Sequence, residues 1–374
     1  TTDDWHLTHR TTDHWPLTAT DNLLVSGAGG YNAPSVDATT GATHEPSRAR
    51  FSLRLIMSIN LNGIIAALPT PFSETGEVAP DKLTSNLASW NQTGLLGYLI
   101  LGSTGEFPHL TTEERLTVIE TVRDSTPQEK LLLVGTGELS TRATIEMTRQ
   151  AASRGADAAV VVTPFYYKRL LDEEQLEAHY LRVADNATIP ILIYLIPQFS
   201  GVYLRPETIA RLSEHPNIIG LKDSSGDLSS LEDLFGLVNT DEFSILMGAP
   251  QLLKQSLAAG AAGGVLAVGC VAPRTCVTLE QMCRSDADGR TEALQDRLSR
   301  LSRRTTANGI GYVKAALDLV GLYGYLPRSP LPAPTSEQRE DIAAAIAESG
   351  FFEQSGDEGT WTELIELGDL EYAD

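Results

Sequence analysis

Short apolar runs alternate with longer amphipathic stretches along the chain from Asn62 onward. The apolar runs predict eight strands, at 64–68, 97–101, 131–135, 157–162, 190–194, 218–222, 243–247 and 263–267. Runs that are apolar throughout, such as 131–134, are typical of parallel strands, because both faces of such strands are buried. The strand pattern therefore predicts a parallel sheet covered on both sides.

Helix-like stretches fill seven of the intervals between these strands, at 81–91, 112–124, 141–154, 173–185, 206–214, 228–238 and 251–259. Capping residues and glycine stops bound several of them, with starts at Thr111, Ser140 and Asp172 and stops at Gly94, Gly155 and Gly260. Eight strand–helix units predict a (β/α)8 TIM barrel over 59–270, with a doubly wound open sheet as the main rival. Further helical stretches at 272–284, 289–304, 311–320 and 336–348 predict an added C-terminal layer over 271–352.

The two ends of the chain differ from this regular part. Residues 1–58 are rich in Ser, Thr, Ala, Gly and Pro without a sustained period. We expect a disordered N-terminal extension there, with Met57 as a candidate native start. Residues 353–374 hold eight acidic and no basic side chains, which predicts a solvated acidic tail.

Charge limits the classes of partner. The chain has 28 basic and 49 acidic side chains, so its net charge is −21. This acidity argues against a nucleic acid or an anionic membrane surface, because both attract clustered Lys and Arg. No apolar run approaches the ~20 residues that span a bilayer. The acidic tail alone supplies −8 of the charge, so the overall acidity says little about an active site.

Cysteine and histidine usage narrows the chemistry. Cys270, Cys276 and Cys283 form no CxxC pair, and we expect reduced thiols, as in the cytoplasm or, alternatively, the mitochondrial matrix. The closely spaced histidines of the segment 6–14 lie among Thr- and Asp-rich flanks without a helical period. We therefore expect no metal site there, and a metal-dependent aldolase is a poor first hypothesis.

Hydroxyls, tyrosines and one lysine collect at the predicted carboxyl ends of the strands, where a barrel of this kind forms its active site. The second strand leads into 102–106 (GSTGE), and the fourth leads into 163–167 (TPFYY). The fifth strand ends at Tyr194, and the sixth leads into 222–227 (KDSSGD). No histidine–carboxylate pair lies among these residues.

Lys222 is the most informative of them. Period-2 alternation puts residues 218, 220 and 222 on one side of the strand. If that side faces the barrel interior, the loss of hydration disfavours a charged ammonium, and a neutral amine can attack a ketone to give a Schiff base. The alternative is a strand-end lysine that extends to water or pairs with Asp223, the commoner case for an isolated lysine.

Tyr194 and the turn 102–106 add to this hypothesis. Tyr194 ends the neighbouring strand, and a phenol beside an amine can carry protons to and from a substrate oxygen. A packed tyrosine whose hydroxyl is hydrogen-bonded is the alternative. Ser103 and Thr104 lie in a glycine-flanked turn whose hydroxyl and N–H groups can hold a carboxylate, or form an ordinary Ser/Thr turn.

Four segments together resemble the dihydrodipicolinate synthase/N-acetylneuraminate lyase superfamily. They are Gly102-Ser-Thr-Gly-Glu106, Thr163-Pro-x-Tyr-Tyr, Tyr194-x-x-Pro-x-x-x-Gly and Gly220-Leu-Lys222-Asp. The resemblance runs from Asn62 to Phe352, in the family's order and spacing. Within the superfamily the chain is most similar to 4-hydroxy-2-oxoglutarate aldolases, through segments such as 131–135 and 215–227.

The resemblance implies a class I, metal-independent aldolase that needs no cofactor. Its expected substrate is a 4-hydroxy-2-oxo acid, cleaved to pyruvate and an aldehyde or 2-oxo acid, and its expected assembly is a homotetramer. By position, the implied residues are the Schiff-base Lys222, the proton relay Tyr194, the carboxylate-binding Ser103 and Thr104, the pocket-lining Ser224 and Gly248, and Tyr166, or else Tyr167, as a tyrosine lent by a neighbouring subunit.

Phe199 departs from the family pattern. Dihydrodipicolinate synthases usually carry an arginine at this place, which holds the carboxylate of the aldehyde substrate, and a phenyl ring offers no such charged fork. Dihydrodipicolinate synthase is therefore the second hypothesis, and a 2-keto-3-deoxy sugar acid aldolase fits as well. The non-enzymatic alternative is a 2-oxo acid sensor, against which the presence of both Lys222 and Tyr194 argues.

Overall fold

The computed structural model describes residues 59–285, 290–355 and 360–364. The predictions for residues 1–58, including the start at Met57 and the histidines of 6–14, lie outside the described residues. Within the described ranges, no helix combines the length and the apolarity needed to cross a bilayer.

Eight parallel strands close into a barrel, which confirms the predicted architecture and excludes the open sheet. The strands are β1 (Gly63–Ala67), β2 (Gly97–Ile100), β3 (Leu131–Gly135), β4 (Ala158–Val162), β5 (Ile191–Leu195), β6 (Ile218–Asp223), β7 (Ser244–Met247) and β8 (Gly263–Leu266). The barrel closes between β1 and β8, where Gly63 pairs with Gly263. A Cβ on Gly263 would lie 1.9 Å from the Gly63 carbonyl oxygen, so only glycine permits this approach.

Helices connect the strands on the outside of the barrel. They are α1 (Pro80–Trp90), α2 (Thr112–Ser125), α3 (Thr141–Ser153), α4 (Glu173–Asn186), α5 (Pro197–Ser200), α6 (Pro206–Ser213), α7 (Leu228–Phe235) and α8 (Leu253–Ala259). The Thr111 hydroxyl accepts from the Glu114 N–H while the Glu114 carboxylate accepts from the Thr111 N–H, and Asp172 and Gln175 form a second box of this kind. Such caps satisfy N–H groups that a first helical turn leaves unpaired, typically worth ~1 kcal/mol.

Two of the three predicted glycine stops are confirmed. Gly155 (φ +87°) and Gly260 (φ +114°) adopt the left-handed conformation at the ends of α3 and α8. The prediction for Gly94 was wrong, because α1 ends in a right-handed cap at Asn91 (φ −61°). Gly94 lies instead against Val277, whose Cγ1 would be 3.0 Å from a Cβ at this position. Close packing, rather than a left-handed turn, explains this glycine.

The strand side chains divide between two apolar clusters. The inner cluster fills the barrel and includes Ile65, Leu133, Val160, Leu246 and Val265. The outer cluster joins the other face of the strands to the surrounding helices. Burying each Leu or Ile side chain contributes about 2 kcal/mol. Because both faces are covered, the strands appear in the sequence as continuous apolar runs.

Four helices form the predicted C-terminal layer: α9 (Pro273–Arg284), α10 (Arg290–Thr305), α11 (Ile310–Leu319) and α12 (Ser336–Ser349). Part of the segment predicted as a solvated acidic tail is instead a hairpin of β9 (Phe352–Ser355) and β10 (Thr360–Glu363). The Glu363 carboxylate accepts hydrogen bonds from the N–H groups of Arg274 and Thr275 in the first turn of α9. Burial raises the pKa of Glu363 to about 7. Net charge describes the average of a segment, so it could not reveal one partly buried carboxylate that anchors the hairpin to a helix start.

The three cysteines are all free, which confirms the prediction of unpaired thiols. Cys270 and Cys276 are fully buried. Burial raises the pKa of the Cys270 thiol to about 12, and a thiol in this state is a poor nucleophile. Cys270 therefore serves packing, and its carbonyl accepts a hydrogen bond of 2.9 Å from the Trp90 indole N–H.

Candidate active site

Lys222 lies near the carboxyl end of β6 with its side chain in the barrel interior. The residue is only 5% exposed. It pairs in register with Tyr194 of β5, which belongs to the inner cluster, whereas its neighbour Leu221 belongs to the outer cluster. Lys222 therefore points into the barrel interior, as the sequence predicted.

The alternation that suggested this direction is interrupted earlier in β6. Ile218 and Gly220 pair with consecutive residues of β5, so Ile219 is an extra residue, a β-bulge. Ile218 packs in the outer cluster, and Ile219 packs against the inner one. The prediction that residues 218 and 222 share a side was therefore wrong, although Gly220 and Lys222 do share one.

Tyr194 lies directly beside Lys222. The Lys222 Nζ is 4.1 Å from the centroid of the Tyr194 ring, and the tyrosine is 4% exposed. The ring covers the amine on one side and shields it from water. The Tyr194 hydroxyl reaches 3.5 Å from the Ser103 Oγ. One phenol therefore connects the buried amine to the turn after β2.

The alternative in which Lys222 pairs with Asp223 is not what the structure has. The Asp223 Oδ1 accepts a hydrogen bond of 2.7 Å from the Ser225 N–H, and burial raises the pKa of this carboxyl group. No ion pair joins Lys222 to a carboxylate among the described residues. Lys222 also does not extend to water, because it is buried beside Tyr194.

The turn after β2 has an unusual backbone. Leu101 (φ +54°) and Glu106 (φ +56°) both adopt the left-handed conformation, which typically costs a non-glycine residue about 1 kcal/mol or more. A Cβ on Gly105 would lie 2.9 Å from the Leu101 backbone nitrogen, so the turn needs glycine there. The N–H groups of Ser103 and Thr104 donate to no acceptor in the described part of the chain. Together with their hydroxyls, they can bind a carboxylate.

A buried ion pair lies behind this turn, and the sequence analysis did not identify it. The Lys314 Nζ of α11 is 2.7 Å from Oε1 of Glu106, and both side chains are fully buried. The other Glu106 oxygen accepts from the Arg328 N–H at 2.8 Å. The signal available in the sequence was a single lysine inside the otherwise apolar run Ile310–Leu317.

Ser224 and Gly248, the two residues that the resemblance implied as pocket-lining, lie against each other at the ends of β6 and β7. Their role in a substrate pocket stays a prediction. A Cβ on Gly248 would lie 2.0 Å from the Ser224 Oγ. The Gly248 N–H donates to the Asp223 carbonyl at 2.6 Å, and the Ser224 N–H donates to the Leu195 carbonyl at 2.9 Å. The space beside the serine hydroxyl therefore depends on the missing side chain at Gly248.

Tyr166 and Tyr167 do not join this cluster within one chain. They are 70% and 67% exposed, and their rings pack edge to face with centroids 4.9 Å apart. Either hydroxyl is available to a second molecule. The role of Tyr166 as a residue lent to a neighbouring subunit stays a prediction.

A cavity of about 340 Å³ opens beside Ser103 at the mouth of the barrel. Its wall is mainly apolar and includes Phe107, Val162, Phe165, Ile196, Phe199 and Leu331. Phe199, singled out from the sequence, is one of these and is 70% exposed. The other apolar wall residues were missed, because they come from separate segments of the chain that only the folded barrel brings together.

Comparison with known proteins agrees with this geometry. A family model described as the dihydrodipicolinate synthetase family matches residues 60–349. The 4-hydroxy-tetrahydrodipicolinate synthase of Methanothrix thermoacetophila is 38% identical over 283 residues, which cover 74% of this chain and 93% of that protein. A probable mitochondrial 4-hydroxy-2-oxoglutarate aldolase of Emericella nidulans is 33% identical over 283 residues, which cover 74% of this chain and 91% of that protein.

A solved structure extends the likeness to three dimensions. The chloride-inhibited dihydrodipicolinate synthase of Acinetobacter baumannii, in complex with pyruvate, matches with a TM-score of 0.74 at 28% identity. The match covers 78% of this chain and 99% of that one. The resemblance recognised from the four motifs is thereby confirmed.

Proposed function

This chain belongs to the dihydrodipicolinate synthetase family, and we propose that it is a class I aldolase that reversibly cleaves a 4-hydroxy-2-oxo acid to pyruvate and an aldehyde or 2-oxo acid. Membership makes the chain an enzyme of a carbon–carbon lyase and synthase family. The observation that carries the proposal is the buried Lys222 amine, 4.1 Å from the ring centroid of Tyr194. A sensor of 2-oxo acids would need neither residue.

The first half of the reaction forms an imine. The Lys222 amine attacks the C2 carbonyl of the substrate to give a carbinolamine. Tyr194 donates its phenol proton to the carbinolamine hydroxyl, which leaves as water, so that a protonated imine and a Tyr194 phenolate remain. Ser103 and Thr104 hold the substrate carboxylate with their hydroxyls and unpaired N–H groups. The dry barrel interior limits premature hydrolysis of the imine, since Lys222 and Tyr194 are both at most 5% exposed.

The second half breaks the carbon–carbon bond. Tyr194 accepts the proton of the C4 hydroxyl while the C3–C4 bond breaks and its electron pair moves into the protonated imine. The aldehyde leaves, and the resulting enamine is protonated at C3 with the proton that Tyr194 carries. Water then hydrolyses the imine, which releases pyruvate and restores the Lys222 amine.

Borohydride reduction in the presence of pyruvate tests this mechanism. Reduction of the imine leaves one pyruvate-derived group on Lys222, which intact-protein and peptide mass spectrometry detect. The Lys222→Met variant should gain no mass. Lys130→Met is the matched control, because Lys130 is a half-buried lysine at the start of β3 whose Nζ donates to the Leu95 carbonyl at 2.7 Å. It should label like the wild type.

A second variant tests the proton relay. Tyr194→Phe should still form the imine but lose turnover by about 10²–10⁴-fold, the usual contribution of one general acid–base group. Absence of label in the wild type, or label on a residue other than Lys222, would contradict the proposed function. Full turnover in Tyr194→Phe would contradict the relay alone.

The second candidate is a 4-hydroxy-tetrahydrodipicolinate synthase, favoured by the 38% identity to the Methanothrix enzyme. Phe199, in place of the family's arginine, argues against it, because a carboxylate on the aldehyde would lack a charged partner there. Turnover of hydroxyoxoglutarate, 2-keto-3-deoxy sugar acids and aspartate semialdehyde, compared side by side, separates the candidates. The proposed mechanism needs no metal ion, so treatment with a chelator should leave the rate unchanged.

The proposal includes a homo-oligomer, a tetramer, in which Tyr166 of one copy completes the site of another. Its 70% exposure supports such a contact. Light scattering on the purified protein measures the subunit number. The compartment, cytoplasm or mitochondrial matrix, stays a prediction from the free thiols.

A further inference from the structure

We propose that the aldehyde part of the substrate is apolar and uncharged, and that Phe199 selects it. This inference rests on the proposed aldolase function and narrows its substrate class to 4-hydroxy-2-oxo acids that carry an aliphatic or aromatic group on C4. Three features of the site support it: the position of the apolar cavity, the chemistry of its wall and the anchoring of Phe199.

The cavity begins where the pyruvate half of the substrate ends. Two of its wall residues adjoin Tyr194: Ser103, whose Oγ is 3.5 Å from the phenol oxygen, and Val162, which pairs with Tyr194 in register. A substrate whose C2 is bonded to Lys222 and whose C4 hydroxyl meets Tyr194 therefore directs its C4 substituent into this cavity. The volume of about 340 Å³ lies within the range of small-molecule sites.

The wall suits an apolar group and disfavours an anion. Phe165, Phe199 and Leu331 bring apolar surface from three separate segments of the chain. No lysine or arginine of the described residues lines the cavity. The carboxylate in the wall belongs to Glu106, which is already paired with Lys314, and the His109 Nδ1 lies 3.6 Å from the same carboxylate group. A substrate carboxylate placed here would be desolvated without a cationic partner.

Phe199 is held in place by the backbone rather than left on a loose loop. It lies in α5, where its N–H donates to the Ile196 carbonyl at 3.0 Å. Gly201 (φ +62°) ends this short helix in the left-handed conformation. The neighbouring Gln198 amide donates to the Ser224 carbonyl at 2.5 Å, which ties the helix to the loop that follows Lys222. Phe199 is 70% exposed, so an apolar ligand that covers its ring removes apolar surface from water, which favours binding.

Lys168 provides the control for this argument. Its Nζ lies beside the same loop, 2.7 Å from where a Cβ on Gly201 would be, but Lys168 is not part of the cavity wall. If this lysine, outside the wall, bound the C4 substituent of the substrate, removing it would lower kcat/KM for anionic aldehydes relative to uncharged ones. We expect no change.

The experiment uses the full-length enzyme in the condensation direction. In this direction C3 of the pyruvate enamine bonds to the aldehyde carbon, and the aldehyde oxygen takes the proton from Tyr194. Rates are compared for a series from propanal to hexanal, for benzaldehyde, and for glyoxylate, aspartate semialdehyde and glyceraldehyde. We expect kcat/KM to rise about fourfold for each methylene that enters the cavity, and to exceed the glyoxylate value by about tenfold or more.

Two variants sharpen the result. Phe199→Arg should reverse the order, in favour of glyoxylate and aspartate semialdehyde, and Lys168→Met should keep the wild-type order. A wild-type enzyme that prefers an anionic or a hydroxylated aldehyde, or that ignores chain length, overturns the inference. Label on Lys222 after borohydride would then leave the aldolase function standing. If no label forms, the aldolase function fails, and this inference fails with it.

Discussion

Separating the buried pair of Glu106 and Lys314 should destabilise the whole barrel, and neutralising both members together should cost much less. The two atoms are 2.7 Å apart, and neither side chain is exposed. Burial lowers the pKa of Lys314, which the adjacent Glu106 carboxylate opposes. Removing one member of a buried pair leaves the other as an uncompensated charge, typically at a cost of 3–5 kcal/mol.

The remaining partners decide where each variant falls in that range. After Glu106→Gln, the Lys314 ammonium keeps the Leu326 carbonyl at 3.0 Å and the Phe72 ring, whose centroid is 4.1 Å away. We therefore expect a loss of about 3 kcal/mol in the free energy of unfolding. After Lys314→Met, the Glu106 carboxylate keeps one N–H donor, from Arg328, at 2.8 Å, and we expect about 4 kcal/mol.

The assay is urea unfolding of the wild type, both single variants and the double variant. The double variant buries two neutral groups, so it should lose less than Lys314→Met alone, and the cycle should report a coupling of about 3 kcal/mol or more. Glu120→Gln is the matched control, because it breaks an exposed pair with Arg154 of 2.8 Å and should cost under about 1 kcal/mol. Single losses as small as the control, or additive losses in the double variant, would show that the pair contributes no more than an exposed one.

Two further predictions concern packing and pH. Gly248→Ala would put a Cβ 2.0 Å from the Ser224 Oγ, so we expect a loss of about 1–3 kcal/mol in unfolding free energy and weaker pyruvate binding. Gly236→Ala is the control, because its Cβ would meet only the Asp233 carbonyl at 3.4 Å and should change neither quantity. Equal behaviour of the two variants would contradict this prediction. Burial lowers the pKa of His179 from 6.5 to about 4. Between pH 6.5 and pH 4 the unfolded chain therefore binds a proton that the folded chain does not bind, and the free energy of unfolding decreases as the pH falls. We expect a decrease of about 2 kcal/mol between pH 7 and pH 4.5. Urea unfolding at the two pH values should show a correspondingly smaller loss in His179→Gln, and an identical loss would exclude this group as the cause.

Much of the architecture could be predicted from the sequence, because barrel strands and helices are specified locally. Apolar runs such as Leu131–Gly135 marked strands to within one residue, since a strand buried on both faces leaves no polar position. Capping boxes at Thr111 and Asp172 fixed the starts of α2 and α4 through bonds spanning three residues. The motifs around Ser103 and Lys222 also lie within single strand ends.

Contacts between distant segments had to come from the tertiary structure. The bulge at Ile219 depends on the register between β5 and β6, so period-2 alternation could not locate it. The ion pair of Glu106 and Lys314 joins β2's loop to α11, and the Glu363 hairpin joins the acidic end of the chain to α9. Local pattern determines which segments become strands and helices, because backbone hydrogen bonding and burial repeat over a few residues. Which side chains meet in the dry interior depends on register and closure, and these exist only once the barrel has formed.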